Sequence, residues 1–391
     1  MRYKKHIVNM LILCSMIVCL GFSIGYANKS KEGKHIANIY LNNKPITADD
    51  INNMHKSEEV ENKKLSFTGW KQIDDVVIEY TDLNRTANVD VIKVCGDSSL
   101  LINGPILFLD NKEGCLVDKE TAYELFGSTD VIGQVLKYDN REVKIIGIHS
   151  GINNTVVMQT EYDSNETMDA IAIEVDGNVS KSIKAFSDRY SINNFGVDSK
   201  IYYNIANIFI MILPFIIAIL LLVRCIKEIS VVKRKPFLFI VYIACTVALF
   251  AILIKITGIE IKIPYDLIPN KWSDFGYWEG LFKEYAEKFE TILYMKKYNI
   301  DIINIQSAIK SIMFSILSII LFLNFRNRIK INNIKQGALI ISVMLSISFI
   351  VIIGLAYKYG LDIKGLMIWF IYPYYYISMY ISSGRLNSLI E

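Results

Sequence analysis

Six nearly uncharged apolar stretches, each about as long as a helix needs to cross roughly 30 Å of hydrocarbon, constrain this chain more than anything else in it. They run Ile7–Tyr26, Asn204–Val223, Pro236–Ile256, about Ala308–Phe325, Gly337–Tyr357 and about Gly365–Ile381. From Asn28 to Lys200 the chain is polar and mixed, and no run there is long enough to span. The expected fold class is an α-helical polytopic membrane protein of about six spans, with an α+β extracytoplasmic domain inserted between the first and second spans. Composition agrees: 52% of the 391 residues are hydrophobic, 21% are charged, and the mean hydropathy is +0.32. That is too apolar for a soluble protein of this size. The net charge of +3 is too even for a nucleic-acid partner; the lipid bilayer is the expected one.

Loop charge orients the spans, because short cytoplasmic loops carry excess Lys and Arg. Arg224, Lys227, Lys233, Arg234 and Lys235 face a lone Glu228 between the second and third stretches, and Arg326, Arg328, Lys330 and Lys335 lie between the fourth and fifth without an acid. Residues 258–307 hold eight acids and six lysines. Alternation then places both termini in the cytoplasm and residues 28–200 outside. The expected units are a transmembrane anchor at 1–27, an external domain at 28–200, and a membrane domain of about five helices at 201–391. Within the last, 258–307 is an external segment, either lying at the membrane interface through Trp272, Tyr277, Trp278 and Phe282 or packed as a cap. Gly25 and Ala27 fit the −3 and −1 positions of a signal-peptide cleavage site, which is the rival reading of the first stretch; its apolar run exceeds the usual signal core of roughly 7 to 15 residues. No charge sits in the middle of a span, which argues against an ion-coupled carrier.

In the external domain, period-two runs predict strands at HIANIYL, VVIEY, VDVIKV, PILFLD, QVLKY, EVKIIGI, TVVMQT and AIAIEV. Lys119–Phe126, ended by Gly127, and Ser180–Arg189 predict helices. Cys95 and Cys115 are the two cysteines of this domain, and in an oxidising exterior they are either a disulfide or two buried thiols.

Chemistry is sparse. Gly96-Asp97-Ser98 superficially matches an esterase motif with Ser98 as nucleophile, but the one later histidine, His149, has Ile146 where an Asp-x-x-His pattern needs aspartate; a turn is the stronger reading. His6, His35 and His55 are isolated, and no Cys or His spacing suits a metal. No catalytic residue, cofactor or metal is expected. Glu32-Gly33-Lys34-His35 lacks the first glycine and the Ser/Thr of a phosphate-cradling loop, so ATP-driven work requires a partner.

Gly114-Cys115-Leu116-Val117-Asp118-Lys119-Glu120-Thr121-Ala122-Tyr123-Glu124-Leu125-Phe126-Gly127, continuing to Gly133-Gln134 and the hairpin KYDNREVKIIGI, resembles the external core domain of MacB/FtsX-type ABC transporter permeases. There a strand delivers an Ala-x-x-Leu-Phe-Gly helix, then a Gly precedes a hairpin. The matching positions are Ala122, Leu125, Phe126, Gly127, Gly133 and Gly147, all architectural, and the likeness covers roughly residues 76–190. It implies a permease-like subunit, not an enzyme, that pairs with a separate ABC ATPase, forms a homo- or hetero-dimer, and turns ATP-driven helix movement into motion outside. By the same likeness, Arg224, Lys227, Glu228, Lys233, Arg234 and Lys235 form the candidate ATPase-coupling loop. Two features depart from the family. Five stretches follow the domain instead of three, and Lys227-Glu228-Ile229-Ser230-Val231-Val232 keeps only Glu-Ile of the family's coupling sequence. The alternative is a membrane-anchored sensor or accessory protein whose external domain binds a ligand or partner.

Overall fold

The computed structural model describes residues 2–29, 35–41, 45–61, 64–160, 165–175, 177–192, 196–232, 275–328 and 334–359, with 240, 247 and 375 besides. The chain divides into two units: a helical one of Met1–Ser30, Tyr202–Tyr294 and Asn304–Glu391, and a sheet domain of Lys31–Ile201 with Met295–Ile303.

In the helical unit, α1 is Arg2–Lys29, α5 Ile201–Val232, α6 Phe275–Tyr294, α7 Asn299–Arg328 and α8 Ile334–Tyr359. Among the described residues, four segments are long and apolar enough to cross a membrane: Ile7–Lys29, Ile201–Arg224, Asn299–Arg328 and Gly337–Tyr359. The stretches expected at 236–256 and 365–381 fall almost wholly outside the described residues. The helix expected to open near Ala308 begins at Asn299, and α5 passes through Pro214 unbroken. Of residues 258–307, 275–294 form α6, 295–303 pack with the sheet domain and 304–307 continue α7, while 258–274 lie outside the described residues. Leu13, Met16, Ile17, Leu20 and Ile24 of α1 share a buried core with Ala206, Ile210, Leu213 and Ile217 of α5, Phe322 and Phe325 of α7, and Met344 of α8. The spacing of three and four along α1 is that of a stripe facing one side of a helix.

The sheet domain carries β1 (Ile36–Tyr40), α2 (Ala48–Glu58), β2 (Phe67–Tyr80), β3 (Arg85–Gly96), β4 (Gly114–Asp118), α3 (Lys119–Phe126), β5 (Val135–Tyr138), β6 (Arg141–His149), β7 (Thr155–Gln159), β8 (Ala170–Glu174), α4 (Val179–Tyr190) and β9 (Gly196–Asp198). Strand order is β3-β7-β4-β6-β5-β2-β8-β1-β9, and β2 also pairs with β3. Six strands therefore close into a ring, while β8, β1 and β9 extend the sheet from the first half of β2. The 14 residues of β2 serve both parts, with a register shift between Ile73 and Val76 where Asp75 takes φ +53°. Such a bulge bends a strand and lets it change partners.

Each part has its own apolar core. Val89, Val91, Cys115, Val117, Leu136, Val143, Ile145 and Val156 fill the ring together with Ala122 and Leu125 of α3. Ile39, Ile51, Phe67, Cys95, Ile171, Ile173 and Phe186 fill the space between the extension and helices α2 and α4. A capping box opens α2: the Thr47 hydroxyl accepts from the Asp50 N–H at 3.2 Å, and the Asp50 carboxylate accepts from the Thr47 N–H at 2.9 Å.

Candidate functional site

The element that carries the family resemblance is α3 with the strand before it and the hairpin after it. Asp118 ends β4 and caps α3. Its Oδ1 accepts from the N–H groups of Glu120 (2.9 Å) and Thr121 (3.3 Å), while Oδ2 accepts from the Thr121 hydroxyl (2.5 Å) and from the Thr155 N–H of β7 (2.8 Å). A side chain only 2% exposed thus satisfies two orphan donors of the helix start and ties that start to another strand. Ala122 and Leu125 are fully buried in the ring core, one turn apart on the inner side of α3. The Phe126 ring lies 4.4 Å from Tyr80. Gly127 closes the helix at φ +70°, its N–H reaching Tyr123 O at 2.8 Å. Gly133 takes φ +94° and donates to Ile145 O at 2.7 Å. At Gly147 a Cβ would stand 2.6 Å from Pro105 Cγ, so the strand passes too close for any side chain.

Beside this element His149 is buried, with Nε2–H donating to Thr155 O at 2.9 Å and Nδ1 without a partner. Burial holds its pKa below the ordinary value, outweighing the Thr155 bond and the nearby Asp118 charge, which act the other way. His55 is lowered by burial likewise; it lies flat on Phe67 at 4.3 Å and bonds Cys95 O at 3.3 Å. A histidine whose folded pKa lies below its unfolded one contributes stability that is present above the unfolded value and lost as pH falls through the folded one. The unfolding temperature of the sheet domain in the full chain is therefore expected to be lower at pH 5.5 than at pH 7.5. His149→Gln, which keeps a donor for Thr155 O, should narrow the difference; an unchanged difference assigns it elsewhere.

Cys95 and Cys115 do not form the disulfide that was one expectation. Both are free and buried, and burial pushes each thiol up to about 12. They lie on β3 and β4, with β7 hydrogen-bonded between. Two strand spacings are about 9.5 Å, beyond the roughly 4.4 to 6.8 Å between the Cα atoms of a bridge. Cys95 donates instead to Asn52 Oδ1 at 3.3 Å.

Ser98 opens a short turn, fully buried, with its hydroxyl accepting from the Leu107 N–H at 2.8 Å. It is a structural hydroxyl. The run PILFLD is not a strand: Phe108 and Ile106 point outward and Leu107 alone is fully buried. At the other core, buried Glu58 meets Arg189 Nη1 at 2.6 Å, the Tyr190 hydroxyl and the Leu65 N–H at 2.7 Å. Burial alone would raise its pKa; these bonds more than offset it and hold it low. No group of three His, Cys, Asp or Glu side chains that would hold a metal occurs among the described residues.

Of the expected coupling loop, Arg224, Lys227 and Glu228 stand on α5, which runs to Val232; Lys233, Arg234 and Lys235 lie outside the described residues. Apolarity ends at Arg224 but the helix does not, since Arg, Lys and Glu are good helix formers. The Arg224 guanidinium lies 5.3 Å from the Tyr375 ring centre, within range of a cation–π contact.

No protein-family model matches the sequence, and neither does any curated protein. Among solved structures, the chain is similar to the periplasmic region of MacB from Actinobacillus actinomycetemcomitans, with TM-score 0.34 and 10% identity over 42% of this chain and 89% of that one. It is also similar to the extracellular domain of the noncanonic ABC-type transporter YknZ from Gram-positive bacteria, with TM-score 0.31 and 13% identity over 42% of this chain and 98% of that one.

Proposed function

We propose that this chain is the permease-like membrane subunit of an ABC-type transporter or mechanotransmission complex, one that relies on a separate ATPase and acts as a homo- or hetero-dimer. Both termini are cytoplasmic and residues 28–200 lie outside. The observation that carries the reading is α3: Ala122 and Leu125 are buried, Gly127 caps the helix, and Gly147 admits no side chain. These are residues that carry the likeness to the permease core domain, and their burial and turn geometry support the reading. The domain that holds them is inserted in sequence between two apolar helices, α1 and α5, so movement of those helices reaches it through the backbone.

The cytoplasmic end of α5 is the coupling element in this reading. Solubilised in mild detergent, the tagged full chain is expected to bring down an ABC ATPase in the presence of ATP. Glu228→Lys leaves membrane insertion intact, because acids contribute little to orientation, but lowers the recovery of ATPase. If the unmodified chain brings down no ATPase with or without nucleotide, the chain is a sensor or accessory protein instead.

A further inference from the structure

We propose that residues 295–303 are a built-in clip by which α7 grips the sheet domain, a third attachment beside the two backbone links from α1 and to α5. These nine residues follow α6, include the first turn of α7, and pack as part of the sheet domain. The anchor is Tyr298, 5% exposed. Its ring lies parallel to Tyr40 at 5.8 Å (4° between planes) and edge-on to Trp70 at 4.9 Å (79°), both favoured aromatic geometries.

Polar pins surround it. The Asn299 N–H donates to Gln72 Oε1 at 3.1 Å, and the Asn299 amide reaches the Asp90 carboxylate. Tyr40 donates its hydroxyl to Asp301 Oδ2 at 2.9 Å, and the same oxygen accepts from the Tyr298 N–H at 3.3 Å, capping the start of α7. Lys296 Nζ stands 4.8 Å from the Tyr298 ring centre and 3.7 Å from Asp74 Oδ2. The partners come from three strands: Tyr40 of β1, Trp70, Gln72 and Asp74 of β2, and Asp90 of β3.

A loop that merely brushed the sheet would not bury a carboxylate with two donors on one oxygen, nor leave an aromatic ring 95% covered. Burial of a charge is tolerated only where its partners are built in. The consequence is mechanical. Displacement of α7 is delivered to β1 and β2 directly, so the domain is driven from three helices and not only from the pair that brackets it in sequence. The inference stands apart from the ATPase reading, since a sensor would be clipped in the same way.

The clip is tested by cutting the other two links in the intact membrane protein. Protease sites are placed among residues 31–34 and between Ser199 and Lys200, and both are cleaved in membranes from cells expressing the full chain. The freed piece then has no covalent link to α1, α5 or α7. With the native clip it is expected to pellet with the membranes. Tyr298→Ala should raise its soluble share by about tenfold or more, as removal of a buried aromatic anchor does at interfaces, while Tyr298→Phe, which keeps both ring contacts, should behave as the native chain. Trypsin resistance of the freed piece verifies its fold. If Tyr298→Ala does not accumulate, Lys296→Ala with Asn299→Ala is read in the same way. Release of the native piece, or equal retention of native and Tyr298→Ala pieces, overturns the proposal.

Discussion

Asp118→Ala is expected to loosen the ring of the sheet domain by about 3 to 5 kcal/mol, among the largest effects any single change in it would have. The substitution removes four acceptor contacts at once, from Glu120, Thr121 twice and Thr155. Loss of a helix N-cap costs about 1 kcal/mol, and each buried donor left unpaired costs about 1 to 3 more. The Thr155 N–H is the costliest orphan, because it lies in a fully buried strand that no water reaches. Asp118→Asn separates the contributions. It keeps Oδ1 for the two helix N–H groups, but sets an amide where Oδ2 accepts, facing the Thr155 N–H donor, so about 1 to 3 kcal/mol is expected. Hydrogen exchange of the full chain reads this locally: amides of Lys119–Phe126 and Thr155–Gln159 should exchange about a hundredfold faster in the alanine variant, and less so in the asparagine variant. Unchanged exchange in both segments would mean that the buried carboxylate is dispensable.

Why α3 was legible and its surroundings less so follows from where each signal resides. The helix announces itself locally, through Asp118 at the cap, Ala122 and Leu125 one turn apart, and glycine after Phe126. The hairpin at Asp139 and Asn140 does likewise, both residues taking positive φ in the turn. By contrast, the first half of β2 defeats period two. Thr68 and Gln72 are buried beside Phe67 and Trp70, because Phe67–Trp70 is flanked by β8 and β3 on its two edges and covered by α2 at Ile51. PILFLD fails in the opposite sense: an apolar run without partner strands, held by the Ser98 hydroxyl and the Gln159 amide, which donates to Leu107 O at 2.8 Å.

The separation of Cys95 from Cys115 and the docking of Tyr298 could not be read from the sequence for one shared reason, the dependence of contacts on strand order and long-range packing. Nothing near Cys95 or Cys115 tells that β7, forty residues on from β4, inserts between their strands. Nothing near Tyr298 tells that its ring is spoken for by Tyr40 and Trp70. Composition there reads as a charged, aromatic stretch suited to a membrane interface, and two hundred residues of intervening chain hide the partner.

Ser23→Leu is expected to unseat α1 from the helical unit, at a cost of about 2 to 4 kcal/mol. Ser23 is fully buried and meets α7 through reciprocal bonds: its hydroxyl donates to Ser311 O, and the Ser311 hydroxyl donates to Ser23 O, each at 2.8 Å. Its oxygen also lies 2.7 Å from the Ser315 hydroxyl, and one turn along, Ser318 donates to Met16 O at 3.1 Å. Small hydroxyl side chains let two helix backbones approach closely, which is how apolar helices gain contact where the hydrophobic effect offers no drive. On the neighbouring side, a Cβ at Gly25 would stand 3.0 Å from the Tyr359 ring of α8, so that approach is close too. Leucine at position 23 breaks the hydroxyl pairs and adds bulk where there is no room; Ser23→Ala breaks only the pairs and should cost about 1 kcal/mol. The measurement is the temperature at which detergent-solubilised protein loses its monodisperse elution, expected to fall for Ser23→Leu and much less for Ser23→Ala. The same packing bears on processing. Cleavage after Ala27 would strip Leu13, Met16, Ile17 and Leu20 from a core that α5, α7 and α8 share, and would leave the hydroxyls of Ser311 and Ser315 facing an empty groove. The mature protein is therefore expected to keep residues 1–27, so that its intact mass includes them and an N-terminal tag stays with the membrane. A mature N-terminus at Asn28, with Ser23→Leu then without effect, would make α1 a signal segment after all.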